Sequence, residues 1–173
     1  SLGLVGSEMC IRDSNCIKSP EIYLNEMRII KSEFEIKRMR EAIQISAEAH
    51  ELVRELIASK NNERQVQGIL EGFFLEKGAR GPAYNSIVAS GDNACILHYT
   101  SNNSPLNKGE LLLVDAGCSL TDYYNGDITR TIPIGGKFSD EQKVIYEIVL
   151  SAQKTAIQNV IIGSNSSTCL LYT

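Results

Sequence analysis

The chain has 173 residues, 43% apolar and 22% charged, with 17 Lys and Arg against 21 Asp and Glu for a net charge of -4. That is one domain's worth of sequence with enough apolar content for a buried core, and it excludes collagen-like, low-complexity and disordered chains. The acidic balance offers no basic field to gather phosphates, so no nucleic-acid partner is expected. No run approaches the roughly 20 apolar residues of a membrane span, so no membrane association is expected either.

Cys10, Cys16, Cys95, Cys118 and Cys169 are odd in number and show no Cys-x-x-Cys spacing. Neither a disulfide framework nor a thiolate zinc site is therefore expected, and free thiols suit a reducing cytoplasm. Both ends read as foreign to the fold. Met9-Cys-Ile-Arg-Asp13 and Cys169-Leu-Leu-Tyr-Thr173 can be encoded by the two strands of one short inverted repeat, as in a translated sequencing adapter; the alternative is a short frayed terminus at each end. Residues 1–14 and 168–173 are set aside on that ground. Residues 15–27 read as a linker or the tail of a preceding domain, and 28–167 as the folded segment.

In chain order, Ser32-x-x-Glu35 is a capping-box pattern that opens a helix running to about Ser59, with Ile36, Met39, Ile43, Ala47, His50, Val53 and Ile57 on its apolar stripe. Asn62-x-x-Gln65 caps a second helix that turns Val66, Ile69, Leu70, Phe73 and Phe74 inward and stops at Gly78. A loop over 79–84 leads to a strand at 86–90, a second short strand at 95–99 and a polar turn region over 100–109. Leu111 to Cys118 reads as a strand buried on both faces, Thr121-Asp122 as a turn, and Tyr123 to Ile134 as the returning strand. Gly135-Gly136 breaks it, and Ser139-x-x-Gln142 caps a third helix with Val144, Ile145, Ile148, Val149, Ala152 and Ala156 on one side. Helices and an antiparallel sheet in segregated runs predict an α+β fold.

The chemistry concentrates on the hairpin. Asp115 follows four apolar residues inside a strand, where a bare carboxylate needs a cation, a set of donors or a raised pKa, and Asp127 meets the same problem on the partner arm. Two adjacent carboxylates repel unless a divalent cation lies between them, which suggests a hard-metal site. A pair satisfied by backbone N–H groups at a bulge is the other reading. His98, ahead of a polar loop, can be a ligand, a proton donor or a substrate-positioning group, or a satisfied structural histidine. His50 belongs to the helix stripe and reads as packing, Tyr84 as an amphipathic residue at a loop–strand junction, and Cys95 and Cys118 as small hydrophobes. The sequence holds no G-x-S-x-G elbow, Walker loop, G-x-G-x-x-G turn or H-E-x-x-H helix.

Together, Ala83-Tyr-Asn-Ser-Ile-Val88, Ile96-Leu-His-Tyr99, Leu113-Val-Asp-Ala-Gly-Cys118 and Gly126-Asp-Ile-Thr-Arg-Thr-Ile-Pro133 resemble the aminopeptidase P branch of the pita-bread metallopeptidases. The resemblance runs from near Met27 to about Ile157 and implies the first half of that catalytic domain, helices packed on an antiparallel sheet. It implies two divalent metal ions, Mn2+ in this branch, with Asp115 chelating one and Asp127 bridging both. It also implies that His98 steadies the substrate as a catalytic residue and that Tyr84 supports the bridging aspartate. The implied reaction is hydrolysis of the bond before proline in peptides with proline in the second position, by a cytoplasmic homo-oligomer. Two departures stand out. Asp115 and Asp127 are one residue further apart than the family norm, with the extra residue placed in the 119–122 turn. The family's remaining ligands, one histidine and two glutamates, have no counterpart, since Glu141 and Glu147 fall too early; the segment alone is therefore expected to be inactive. An Xaa-Pro dipeptidase, a metal-free binding module and a creatinase-like amidinohydrolase remain as alternatives.

Overall fold

The computed structural model describes residues 19–164, and the expectations for 1–14 and 168–173 lie outside the described residues. The chain divides into two compact units, Ser1–Lys37 and Arg38–Thr173. In the first, where a linker or tail was expected, helix α1 (Glu21–Ile29) forms with no buried residue. Glu21 in its first turn and Arg28 in its last complement the helix dipole. Ser32 and Glu35 then form the expected capping box: Glu35 N donates to Ser32 Oγ at 3.3 Å and Ser32 N to Glu35 Oε2 at 2.7 Å. They open α2 (Glu33–Leu56), which tightens into a 3-10 turn over Ile57–Ser59.

The buried side of α2 is Ala42, Ile45, Ser46, Ala49, His50 and Val53, whereas Ile43 is 47% exposed. The expected stripe holds at His50, Val53 and Ile57, and is corrected earlier in the helix by rotation from Ile43 toward the small residues. The cause is the backbone at Gly126, where a Cβ would lie 2.2 Å from Ser46 Oγ and 2.8 Å from the Ala42 carbonyl oxygen. Only small side chains on α2 and a glycine opposite permit that approach. Asn62 caps α3 (Glu63–Glu76) as expected, its Oδ1 accepting from Arg64 N at 2.7 Å. Val66, Leu70 and Phe74 are buried at one per turn, and Gly78 at φ +81° ends the helix.

Three strands form the main antiparallel sheet in the order β2 (Ile87–Ser90), β3 (Leu111–Ala116), β5 (Ile128–Pro133). Asp115 pairs with Ile87 on one side and Thr129 on the other. A second, two-stranded sheet pairs β1 (Gly81–Pro82) with β4 (Cys118–Ser119). Val88, Leu112, Val114 and Ile132 share one hydrophobic core with Val53, Leu70 and Phe74, so the architecture is α+β.

Three expectations are corrected. β3 is buried on one face only: Leu112, Val114 and Ala116 are covered, while Leu111, Leu113 and Asp115 are half-buried on the other. No strand forms over 95–99. A 3-10 turn occupies Gly91–Cys95, followed by a bend in which Leu97 is 85% exposed and His98 takes φ +54°. The returning arm pairs in the main sheet from Ile128 rather than Tyr123, because Tyr123 at φ +68° and a Tyr123 N to Leu120 O bond close a turn first. α4 (Asp140–Gln158) starts at the expected capping box, Ser139 Oγ accepting from Gln142 N and Gln142 Oε1 from Ser139 N. Its apolar residues Val144, Ile145, Ile148 and Val149 are exposed. Among the described residues no helix is long and apolar enough to cross a membrane.

Candidate metal centre

The two carboxylates converge because the chain next to them carries no side chains. Gly117 follows Asp115 by two residues, and a Cβ there would sit 1.8 Å from the Gly126 carbonyl oxygen and 2.8 Å from Asp127 N. Gly126 N donates to Cys118 O at 2.9 Å, which locks the crossing. Tyr123 N donates to Leu120 O to close the turn between the aspartates, and Asp122 Oδ2 there accepts from Arg38 Nε at 2.6 Å. Burial aside, that pairing holds Asp122 below the usual carboxylate range, its largest cause being the Arg38 bond.

Tyr84 is delivered by the short second sheet. Arg80 N donates to Ser119 O and Ala83 N to Gly117 O, both at 2.8 Å, so the loop expected over 79–84 is anchored beside β4. From there Tyr84 Oη reaches Asp115 Oδ1 at 2.6 Å and Asp127 Oδ1 at 2.8 Å. Burial, then its bonds to Asp115 and Asp127, push this phenol above its ordinary value, so it remains a protonated donor. One hydroxyl proton cannot serve two carboxylates. The two carboxylates compete for that one donor, and a cation bound to the pair would relieve their mutual repulsion.

Tyr84, Asp115, Asp127 and His98 line one cleft of about 380 Å³ together with Asn85, Ile87 and Thr100. All four residues singled out from the sequence are therefore brought together. His98 is exposed on its bend, whereas His50 is buried behind β3, its Nε2 3.0 Å from the Ala116 carbonyl oxygen. With Nε2–H as donor, Nδ1 is buried without a partner. Burial pushes the His50 pKa down, the Ala116 bond opposing it, so the ring is neutral and structural.

Residues missed by sequence reasoning hold the His98 loop. Asn102, 1% exposed, accepts from Val88 N at 2.9 Å and donates to Ser86 O at 2.7 Å, continuing the edge of β2 with a side-chain amide. The start of α3 grips the same segment: Asn62 Nδ2 donates to Asn103 O and Arg64 Nη2 to Ser101 O. Glu63, fully buried beside them, also binds it. The only signal in the sequence is the density of Ser and Asn over 101–104, which reads as a solvated turn.

The donor set of Asp115 and Asp127 is two converging hard oxygens, which suits a divalent cation. Among the described residues no group of three or more His, Cys, Asp or Glu side chains is placed to hold a metal ion.

A hairpin that aims two carboxylates at one phenol, with a histidine on the same cleft, has the chemistry of a metal-dependent hydrolase. Comparison with known proteins gives the same class: the description of metallopeptidase family M24 matches residues 37–168. The chain belongs to that family. It is 49% identical over 142 residues to the Xaa-Pro aminopeptidase of Haemophilus influenzae, covering 82% of this chain and 33% of that protein. It is 44% identical over 135 residues to the Xaa-Pro aminopeptidase of Escherichia coli K12, covering 78% and 30%. Among solved structures, aminopeptidase PepP of Pseudomonas aeruginosa superposes with a TM-score of 0.78 at 42% identity, covering 84% of this chain and 33% of that one. Proline aminopeptidase P II of Yersinia pestis superposes at 0.73 and 44% identity, covering 79% and 31%. The chain thus spans about a third of the length of the relatives it matches. The expected α+β architecture of the pita-bread peptidases is the one found.

Proposed function

We propose that this chain contributes one side of the active site of an Xaa-Pro aminopeptidase, which removes the N-terminal residue from peptides with proline in the second position. The observation that carries the reading is the single Tyr84 hydroxyl placed between Asp115 and Asp127 at 2.6 and 2.8 Å. Such a pair, drawn together by backbone packing around a single shared donor, is suited to hold positive charge. In this reading Asp115 and Asp127 would hold the divalent ions, Mn2+ by the family resemblance. Divalent ions at that pair supply Lewis acidity toward the scissile carbonyl and a water made nucleophilic at neutral pH.

The chain's own residues do the rest. Tyr84 donates to a carboxylate and fixes its orientation, as supporting hydrogen bonds do in metal sites generally. His98, exposed on the rim of the same cleft, offers a ring N–H or lone pair to the peptide near the bond to be cut. Two carboxylates are fewer ligands than a divalent ion takes, so the reading needs further ligands from a longer polypeptide, and the 173 residues alone are inactive. The free thiols of Cys95 and Cys118 support a reducing compartment such as the cytoplasm, and the resemblance supports a homo-oligomer.

The test is peptidase assay of the complete polypeptide carrying this segment, with Asp127→Asn beside it. Loss of a ligand carboxylate is expected to lower kcat/KM toward an Xaa-Pro peptide by on the order of a thousandfold. Unchanged activity would remove Asp127 from the metal centre. A wild-type polypeptide that binds peptides without cleaving them would favour the binding-module alternative.

A further inference from the structure

The most heavily hydrogen-bonded carboxylate of the described residues lies outside the Asp115–Asp127 pair. Glu63, the first residue of α3, is fully buried. Its Oε1 accepts from Ser90 N and Ser90 Oγ, both at 2.8 Å, and from Asn93 Nδ2 at 3.1 Å. Its Oε2 accepts from Tyr99 Oη at 2.8 Å and Ser104 N at 2.9 Å. Burial by itself would raise the carboxyl's pKa, but the donors, led by Ser90 and Ser104, outweigh it and hold the group below its ordinary value. The group is ionised and its donors are all neutral. A carboxylate placed only to favour the helix dipole would stand in solvent at the first turn, so this one serves the groups around it.

Those groups share one location. Ser90 ends β2, Asn93 lies in the following 3-10 turn, Tyr99 comes directly after His98, and Ser104 closes the polar segment. One carboxylate therefore gathers residues 90–104 from both ends and from the position next to His98. Tyr99 is 9% exposed and its neighbour His98 is exposed in the cleft with Tyr84, Asp115 and Asp127. His98 also keeps φ +54°, a left-handed backbone that a non-glycine residue holds only when its surroundings over-determine it.

We infer that Glu63 is a positioning residue: its carboxylate sets where the 91–104 loop stands, and so holds His98 toward the Asp115–Asp127 pair. The inference rests on the reading that the pair binds a divalent ion and that His98 acts beside it. Charge is essential to this arrangement, not only shape. In Glu63→Gln the amide is nearly isosteric, but its NH2 group must face either Ser90 and Asn93 or Tyr99 and Ser104, all donors, so one half of the cluster is broken in either orientation. Tyr99→Phe removes a single donor and keeps the ring, giving a milder variant.

The test uses the full 173-residue chain, whose only histidines are His50 and His98, and NMR spectroscopy. A residue with positive φ has its amide proton close to its own Hα and gives a strong intraresidue cross-peak, which reads the His98 backbone without any metal. Mn2+ added to the chain then broadens signals according to their distance from the bound ion. In wild type the His98 cross-peak is expected to be strong and its ring signals broadened together with the Asp115 and Asp127 amides. In Glu63→Gln the cross-peak should be lost and the broadening of the His98 ring should fall about fivefold or more relative to the two amides, as the loop leaves its anchor. In Tyr99→Phe both effects should appear in weaker form. A role confined to stability would lower Tm and leave both signals of the folded chain as they are, and that result, in either folded variant, overturns the inference. Should Glu63→Gln fail to fold, Tyr99→Phe decides in the same way. Should the 173-residue chain, which supplies only two of the ligands, show no Mn2+ broadening at Asp115 and Asp127, the metal-free cross-peak still judges Glu63, and the metal reading is judged on the complete polypeptide.

Discussion

Gly117→Ala asks whether the meeting of Asp115 and Asp127 is a consequence of backbone packing. The added Cβ would lie 1.8 Å from the Gly126 carbonyl oxygen, 2.3 Å from its carbon and 2.8 Å from Asp127 N. These are main-chain atoms that cannot rotate aside, so the crossing of β4 over residues 126–127 must open. Opening strains the Gly126 N to Cys118 O and Ala83 N to Gly117 O bonds, each worth about 1 kcal/mol net. Overpacking adds about 1–3 kcal/mol, for an expected loss of roughly 3–5 kcal/mol, in the range reserved for mutations with a specific structural cause. For a domain of this size the loss lowers Tm by on the order of 10–15 °C. Thermal and urea unfolding followed by circular dichroism measure it. A variant within about 0.5 kcal/mol of wild type, the range of an ordinary surface change, would refute the claim that the glycines bring the carboxylates together.

Gly68→Ala is the matched control: a Cβ there meets nothing within 4 Å in the exposed middle of α3, so the chain should gain about 0.5–1 kcal/mol, and a loss in urea unfolding would contradict it. Tyr84→Phe removes the hydroxyl shared by the aspartates and should weaken divalent-ion affinity of the complete protein by about 10–100-fold, measured by titration calorimetry; equal affinity would show that the phenol supports neither carboxylate. Burial holds the His50 pKa below the ordinary imidazole value of about 6.5, so as pH falls below that value the unfolded chain takes up a proton that the folded chain refuses. Stability present above about pH 6.5 is then lost on acidification, and the urea midpoint should fall more steeply between pH 7 and 5.5 in wild type than in His50→Leu; parallel slopes would contradict the assignment.

Elements whose ends carry capping chemistry were legible from residues alone. Ser32 with Glu35, Asn62, and Ser139 with Gln142 all open helices where their patterns place them, because a cap is a local interaction that tertiary contacts seldom overrule. The buried face of this helix was legible at His50, Val53 and Ile57 but not nearer its start, since hydrophobicity favours Ile43 while the close approach of Gly126 selects Ala42 and Ser46. The apolar run over 95–99 suggested a strand, yet Ile96 and Leu97 are exposed. There the polar cluster around Glu63 determines the backbone, and its members are scattered over 63–104. Of the candidate site, Asp115 and Asp127 stood out as carboxylates in apolar strand sequence, whereas Tyr84 and His98 were assigned to it through the family resemblance. Glu63 and Asn102 did not, because a first-turn glutamate and a loop asparagine have ordinary solvated roles elsewhere.

The convergent carboxylates as a divalent-ion site are the core of this account, and Mn2+ binding to the complete polypeptide carrying this segment tests it directly. Free-ion electron paramagnetic resonance, followed as chain is added, counts the ions bound by wild type and by Asp127→Asn. Saturable binding by wild type that weakens roughly tenfold or more when one ligand charge is removed is the predicted result. Binding of equal strength in the two proteins would place the ion elsewhere and contradict the assignment of Asp115 and Asp127.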